Sequence, residues 1–211
     1  MFKHFTDTDI EELNRVFRLN LMNSITGYKP AALIGTKSKS GQTNVAIFSS
    51  IVHLGSNPGL IGFIMRPTTV QRNTYSNILE TRAFTINHVH EDFIEQAHYS
   101  SAKFDSDISE FDACNLKDEY LNDFWAPYVE DSQLKIGLEL EDTIHIKANG
   151  TILVIGKVKE IHIEDSCIQE NGRLKLEKLK TVAISGLNKY NKVSELAEFP
   201  YARVSEVPEF K

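Results

Sequence analysis

The chain has 211 residues, of which 41% are hydrophobic and 25% are charged, and its formal net charge at pH 7 is −6. This composition is that of one folded domain, expected over residues 1–211, with a sizeable core. The negative charge argues against nucleic acid and membrane surfaces as partners, because both are anionic. Two isolated cysteines and the lack of any long apolar run predict a reduced, cytoplasmic protein.

The first predicted element is a short helix near the N-terminus. Thr8–Asp9–Ile10–Glu11 has the pattern of a capping box, and apolar residues recur after it at helical spacing. Residues 31–36 and 43–49 then read as two strands around a polar turn, which predicts a hairpin. A continuous apolar run over residues 60–65 predicts a strand that is buried on both faces.

Further along, the pattern predicts one more helix and three more strands. Residues 72–81 have helical spacing, whereas residues 83–89 alternate as a strand. Two long strands, 134–148 and 151–163, are joined by Asn149–Gly150, a dipeptide typical of tight hairpins. About six hairpin-connected strands with inserted helices predict a mainly β fold, a closed antiparallel barrel with helices over its ends. Residues 91–131 and the region beyond residue 171 have no clear pattern.

Hydroxyl, amide and guanidinium side chains collect in residues 44–50, 66–69 and 72–78, around the predicted strand ends. No acid–base dyad, thiol nucleophile or glycine-rich dinucleotide fingerprint accompanies them. Such a set is suited to holding a phosphorylated cofactor that carries its own chemistry. The same residues are also compatible with solvated strand ends and a helix cap.

Flavin mononucleotide (FMN) is a cofactor that this set could hold. Its phosphate needs hydroxyls, backbone N–H groups and one or two cations, and an arginine can bond two phosphate oxygens at once. The start of the predicted 72–81 helix adds N–H donors. The backbone of Asn44, Val45 and Ala46 could meet the ring edge. The phosphate candidates are Ser49, Ser50, Thr68, Thr69, Arg72 and Thr74.

Two histidines on one predicted strand also suggest a metal site. His88 and His90 alternate along the chain, and two imidazoles on one strand face are a plausible chelate. No third ligand follows at a recognisable spacing. We therefore expect a polar strand face and no metal.

The order of these stretches resembles the flavin reductase-like family, over roughly residues 20–165. The family has the FMN-binding split β-barrel fold, an antiparallel, Greek-key-like barrel flanked by helices. The family commonly has Lys-Asp-Thr where this chain has Arg72, Asn73 and Thr74, which leaves the role of position 73 open. The matching stretches are Asn44-Val45-Ala46-Ile47-Phe48-Ser49, Asn57-Pro58, Arg66-Pro67, residues 72–78, 84–87, 100–104, 109–111 and 152–158.

The resemblance implies a homodimer that binds FMN non-covalently near the subunit interface and passes hydride or electrons from NAD(P)H. It also implies a set of cofactor-binding residues and no catalytic side chain. Those expected to line the flavin are Asn44, Ala46, Phe48, Ser49 and Ser50; those expected at the phosphate are Arg72 and Thr74, and more weakly Arg66, Thr68 and Thr69.

Two other functions remain open at this point. One is a split-barrel oxidase of an amine or vitamin-like substrate, and the other is a flavin or haem carrier without turnover. No motif indicates whether NADH or NADPH is preferred, or which electron acceptor is used.

Overall fold

The computed structural model describes residues 1–210, and a seven-stranded antiparallel sheet forms its largest part. The helices are α1 (Asp7–Glu12), α2 (Arg15–Ser24), α3 (Asn73–Thr81), α4 (Ile94–Tyr99) and α5 (Glu110–Ala113). The strands are β1 (Lys29–Pro30), β2 (Ala32–Lys37), β3 (Thr43–Phe48), β4 (Val52–Ser56), β5 (Gly59–Met65), β6 (Ala83–His88), β7 (Asp118–Glu119), β8 (Tyr128–Val129), β9 (Leu134–Ile146), β10 (Thr151–Ile163), β11 (Val182–Ser185) and β12 (Lys189–Lys192).

The N-terminal helix is capped two residues earlier than predicted. Thr6 is the N-cap of α1: its hydroxyl accepts from the Asp9 N–H at 3.2 Å, and the Asp9 carboxylate accepts from the Thr6 N–H at 2.7 Å. Because both donors are satisfied, the box at Thr6 fixes the helix start and the predicted one at Thr8 is wrong. Neither α1 nor the unpredicted helix α2 buries a residue.

The large sheet has the strand order β3-β2-β6-β9-β10-β5-β4. The predicted hairpin of β2 with β3 is confirmed, with Thr36 opposite Asn44, and so is the long hairpin of β9 with β10. The mainly β, antiparallel architecture expected from the strand pattern is therefore confirmed.

The two edges of this sheet are joined by the chain itself. Edge strands β3 and β4 are separated only by residues 49–51. Within this link, the Ser50 hydroxyl donates to the Ile64 carbonyl at 3.2 Å and accepts from the Ile64 N–H at 3.1 Å. Residues 43–56 thus pair with β2 over their first half and with β5 over their second half, which closes the sheet into a barrel.

Two apolar clusters lie on opposite faces of β2. Ala32 and Ile34 belong to the barrel core with Phe63 and Phe84, whereas Leu33 belongs to a second cluster. The second cluster contains Val45, Phe93 and Phe111. The strand buried on both faces is therefore β2, whose residues 32–36 are all buried. Residues 60–65, in β5, were predicted to be buried on both faces; this prediction is wrong, because only three of the seven residues of β5 are buried.

Residues 91–131, which have no clear sequence pattern, are also held on the outside of the barrel by polar groups. The Thr85 hydroxyl donates to the Pro127 carbonyl at 2.6 Å, and the Val129 N–H donates to the Asn87 side-chain oxygen at 3.1 Å. Gly35 makes room, since a Cβ there would lie 2.3 Å from the Pro127 oxygen. These bonds satisfy buried polar groups that would otherwise destabilise the fold.

The C-terminal region adds a small sheet of order β1-β11-β12, which the sequence did not predict. Beyond β12, all residues from 193 to 210 are exposed. No helix within residues 1–210 is long and apolar enough to cross a membrane.

Replacing Ser50 by alanine tests the closure of the barrel. Ser50→Ala removes both bonds to Ile64, so we expect the free energy of unfolding to fall by about 1–2 kcal/mol. Urea denaturation of the cofactor-free protein measures it. Ser49→Ala is the matched control, since Ser49 is also half-buried and its side chain makes no hydrogen bond within residues 1–210. Equal stability of the two variants would contradict this account of closure.

Candidate functional site

The N-terminus of α3 is the centre of the candidate site. The helix packs against β2, β3 and β6, and burial of Ile78 holds it on the barrel. Arg72 is the N-cap residue, and no side chain caps the helix start. The first-turn N–H groups of α3 therefore lack the side-chain acceptor that usually satisfies them.

Four buried polar side chains connect α3 to the β2–β3 hairpin. The Asn44 amide nitrogen donates to the Thr36 hydroxyl at 3.3 Å and to the Thr74 hydroxyl at 3.0 Å. The Asn77 amide nitrogen donates to the same Thr36 oxygen at 3.1 Å. All four residues are at most 8% exposed. We call Thr36, Asn44, Thr74 and Asn77 the α3 network.

Two side-chain donors at the start of α3 have no hydrogen-bond acceptor within residues 1–210. The Nε atom of Arg72 is buried and makes no hydrogen bond. The Thr74 hydroxyl accepts from Asn44 but donates to no group within residues 1–210. A buried donor without a partner is costly, so an acceptor from outside the chain would be bound favourably here. Together with the helix start, this arrangement is suited to an anion.

Of the predicted site residues, Asn44 and Thr74 are hydrogen-bonded to each other, and Arg72 is the N-cap of the helix that carries Thr74. Phe48 packs edge-to-face on the core residue Phe63, with ring centroids 5.0 Å apart. Ala46 and Ser49 are half-buried, on β3 and directly after it.

Two other predicted residues are engaged in the fold. The Val45 side chain is fully buried in the second cluster, and its N–H donates to the Glu110 carboxylate at 3.3 Å. That N–H is therefore engaged within the fold. Ser50 makes the two bonds to Ile64 that close the barrel.

The other predicted residues near the start of α3 make no hydrogen bond with the α3 network. Arg66, Thr68 and Thr69 are exposed, and their side chains make no hydrogen bond within residues 1–210. Asn73 is half-buried and accepts from the Gln71 side-chain amide at 3.4 Å. Within residues 1–210, none of these side chains is hydrogen-bonded to Thr74 or Asn44.

Thr36 and Asn77 are the site residues that sequence reasoning missed. A signal existed for both. Thr36 lies directly opposite Asn44 in the predicted hairpin, and Asn77 follows Thr74 by three residues, one helical turn.

The two histidines considered for a metal have different roles. The Nδ1 atom of His90 accepts from the Asp92 N–H at 3.2 Å, so this ring caps a short 3-10 helix, Glu91–Phe93. Burial lowers the pKa of His88 to about 4. Within residues 1–210, no group of three or more His, Cys, Asp or Glu side chains could hold a metal ion.

Most of the amino-acid sequence of this chain matches the model of a known protein family. Residues 27–175 match the model of the flavin reductase like domain. The chain belongs to the flavin reductase-like family. The match covers the barrel, α3 and the whole α3 network, so the site just described lies inside the family domain.

Solved structures with the same fold support this membership. A provisionally assigned flavin reductase with a split barrel domain from Shewanella frigidimarina NCIMB 400 is 44% identical, with a TM-score of 0.92, over 95% of this chain and 100% of that one. Flavoredoxin of Desulfovibrio vulgaris (Miyazaki F) is 23% identical, with a TM-score of 0.72, over 83% of this chain and 92% of that one. The FMN-binding protein of Thermus thermophilus, solved with bound 1-cyclohex-2-enone, is 18% identical, with a TM-score of 0.69, over 82% of this chain and 91% of that one. The split-barrel fold class is confirmed.

The lowered pKa of His88 makes stability depend on pH. The unfolded imidazole takes up a proton below its usual pKa of 6.5, whereas the folded one stays neutral down to about pH 4. Stability is therefore lost as pH falls through that window. We expect the loss at pH 4.5 to be about 2–3 kcal/mol relative to pH 7.

Urea denaturation at pH 7 and pH 4.5 measures this effect. His88→Gln should remove most of the His88 contribution, whereas the control His145→Gln, at an exposed position, should retain it. An equal acid dependence in both variants would assign the loss of stability to other groups.

Proposed function

We propose that this protein binds FMN with its phosphate at the N-terminus of α3 and acts as an NAD(P)H-dependent flavin oxidoreductase. The observation that carries the proposal is the pair of unsatisfied donors at an uncapped helix start, Arg72 Nε and the Thr74 hydroxyl. Membership of the flavin reductase-like family supports the reaction class, and the FMN-binding name of the Thermus thermophilus relative supports the cofactor.

The residues present fit the phosphate group of FMN. A phosphate monoester is an acceptor-only dianion near neutral pH, so it complements a guanidinium, a hydroxyl hydrogen and backbone N–H groups. Arg72 supplies the charge, Thr74 a hydroxyl donor, and the first turn of α3 the backbone donors with the positive end of the helix dipole. Ser49 and Ala46 remain proposed contacts for the rest of the flavin.

FMN supplies hydride and electron transfer when it is bound, and the protein contributes binding and orientation. Hydride transfer depends on the stacking of two rings rather than on a side-chain base, which agrees with the absence of an acid–base dyad from the predicted site. The role of the protein is therefore to hold the phosphate, fix the position of the flavin and leave one face of the flavin ring open for NAD(P)H.

A visible absorption spectrum of the purified protein, repeated after anaerobic addition of NAD(P)H, tests the proposal. A flavin spectrum that bleaches supports the oxidoreductase. A spectrum that persists favours a carrier, or an oxidase with another electron donor. A protein that is colourless and fails to bind added FMN rules out the cofactor.

We also propose that the protein is a homodimer with FMN near the interface. Helix α2 and its C-cap residue carry four exposed apolar side chains at spacings of three residues: Val16, Leu19, Met22 and Ile25. The C-terminal residues add further exposed apolar side chains, from Leu196 to Phe210. Exposed apolar side chains in this number commonly mark an interface, and a second copy of the chain is its commonest occupant.

Truncating Arg72 tests the phosphate site. Arg72→Ala should weaken FMN binding by about 1.5–3 kcal/mol, the size of a charge-assisted hydrogen bond, or about 10- to 150-fold in Kd. A fluorescence titration with FMN measures the affinity. Arg82→Ala is the control, because Arg82 lies at the opposite end of α3 and its guanidinium donates to the Leu140 carbonyl. Unchanged affinity in Arg72→Ala would remove Arg72 from the site.

Charged residues on α2 test the dimer. The wild-type protein should sediment as a dimer at micromolar concentration, and Val16→Glu/Leu19→Glu should sediment as a monomer because the substitutions bury charge in an apolar contact. Arg15→Glu/Asn20→Glu, at exposed polar positions of the same helix, should remain dimeric. A dimer in both double variants would place the interface elsewhere.

A further inference from the structure

We propose that Thr36 is a positioning residue for the phosphate of the bound flavin, an inference that rests on the proposed function. Thr36 is fully buried, so its side chain does not reach a ligand itself. It acts through Asn44 and Thr74, by fixing which way their hydrogen atoms point.

Both hydrogens of the Asn44 amide are directed to hydroxyl oxygens. An asparagine amide nitrogen carries two hydrogens. In this structure one hydrogen is directed to the Thr36 oxygen, 3.3 Å away, and the other to the Thr74 oxygen, 3.0 Å away. The Asn77 amide also donates to Thr36, at 3.1 Å. Thr36 thus accepts from both amides, and the nitrogen side of Asn44 faces the two hydroxyls.

The direction of the Thr74 hydrogen follows from this count. A hydroxyl has one hydrogen and two lone pairs, and Thr74 uses a lone pair to accept from Asn44. Its hydrogen must therefore point away from the Asn44 amide, and no acceptor within residues 1–210 takes it. Thr74 is thus set as a hydrogen-bond donor beside the uncapped start of α3. A donor held in this way before binding costs less entropy when the phosphate arrives.

A purely structural role for Thr36 makes a different prediction. If the α3 network contributed only to folding stability, its loss would affect every flavin in the same way. If Thr36 orients Thr74, the loss concerns the phosphate alone. Riboflavin has the same ring and ribityl chain without the phosphate, so the ratio of FMN to riboflavin affinity separates the two roles.

The experiment compares Kd values for FMN and riboflavin by fluorescence titration of the full-length protein. Thr36→Val keeps the shape of the side chain and removes the acceptor. We expect its FMN affinity to fall about tenfold, the effect of one charge-assisted hydrogen bond, with riboflavin affinity unchanged. Thr36→Ser restores the hydroxyl and should return the FMN affinity to within about threefold of wild type.

Thr85→Val is the matched control. Thr85 is also a fully buried threonine, on the neighbouring strand β6, and its hydroxyl bonds Pro127 rather than the α3 network. This variant should leave the ratio of FMN to riboflavin affinity unchanged. An equal loss of both affinities in Thr36→Val, or no loss of either, would overturn the proposal.

Two further results keep the test decisive. If Thr36→Val does not fold, Asn77→Ala is used in its place, because it removes the donor to Thr36 that comes from α3. This variant should lower the ratio of FMN to riboflavin affinity about threefold. An unchanged ratio in Asn77→Ala overturns the positioning role. If wild-type protein binds FMN no better than riboflavin, the phosphate site itself fails. That result is seen without any variant, so it is distinguishable from a failure of Thr36 alone.

Discussion

The constraint on which the structure depends is the bent segment of residues 43–56, which pairs with strands at both edges of the large sheet. Its first half continues the sheet from β2, and its second half from β5. Because side chains alternate along a strand, this closure decides what each residue of β3 faces. Asn44 and Phe48 face α3 and the barrel core, whereas Val45 and Ile47 face the second cluster.

The α3 network sits where this closed barrel meets its helix, and it contains more hydrogen-bonding capacity than the fold uses. Buried amides and hydroxyls cost free energy unless they are paired, so a surplus is unusual in a core. Here the amide nitrogens are paired, whereas Arg72 Nε and the hydroxyl hydrogens of Thr36 and Thr74 have no acceptor within residues 1–210. Local exceptions to complete pairing are expected at functional sites, where the missing partner is a ligand.

Much of the fold could be predicted because its signals are local. The β9–β10 hairpin follows from two alternating runs around Asn149–Gly150, and α3 from its apolar spacing. The small β11–β12 sheet lacks such a pattern. The partner of the Val45 N–H is Glu110, 65 residues away, and no local pattern indicates that bond. The hairpin register indicates that Thr36 is the neighbour of Asn44, but its bond from Asn77 joins a strand to a helix 41 residues away, and no local pattern indicates it.

The register of the β2–β3 hairpin links folding to the site. Thr36 lies opposite Asn44, and Gly35 opposite Val45. A shift of one residue would turn every side chain of β3 to the other face of the sheet. The Asn44 amide would then lie in the second apolar cluster, and Val45 would face Thr74. Variation in the length of this hairpin must therefore be absorbed within the turn at residues 38–42. The lengths that this exposed turn can adopt are thus limited to those that keep Thr36 opposite Asn44 in the buried site beside it.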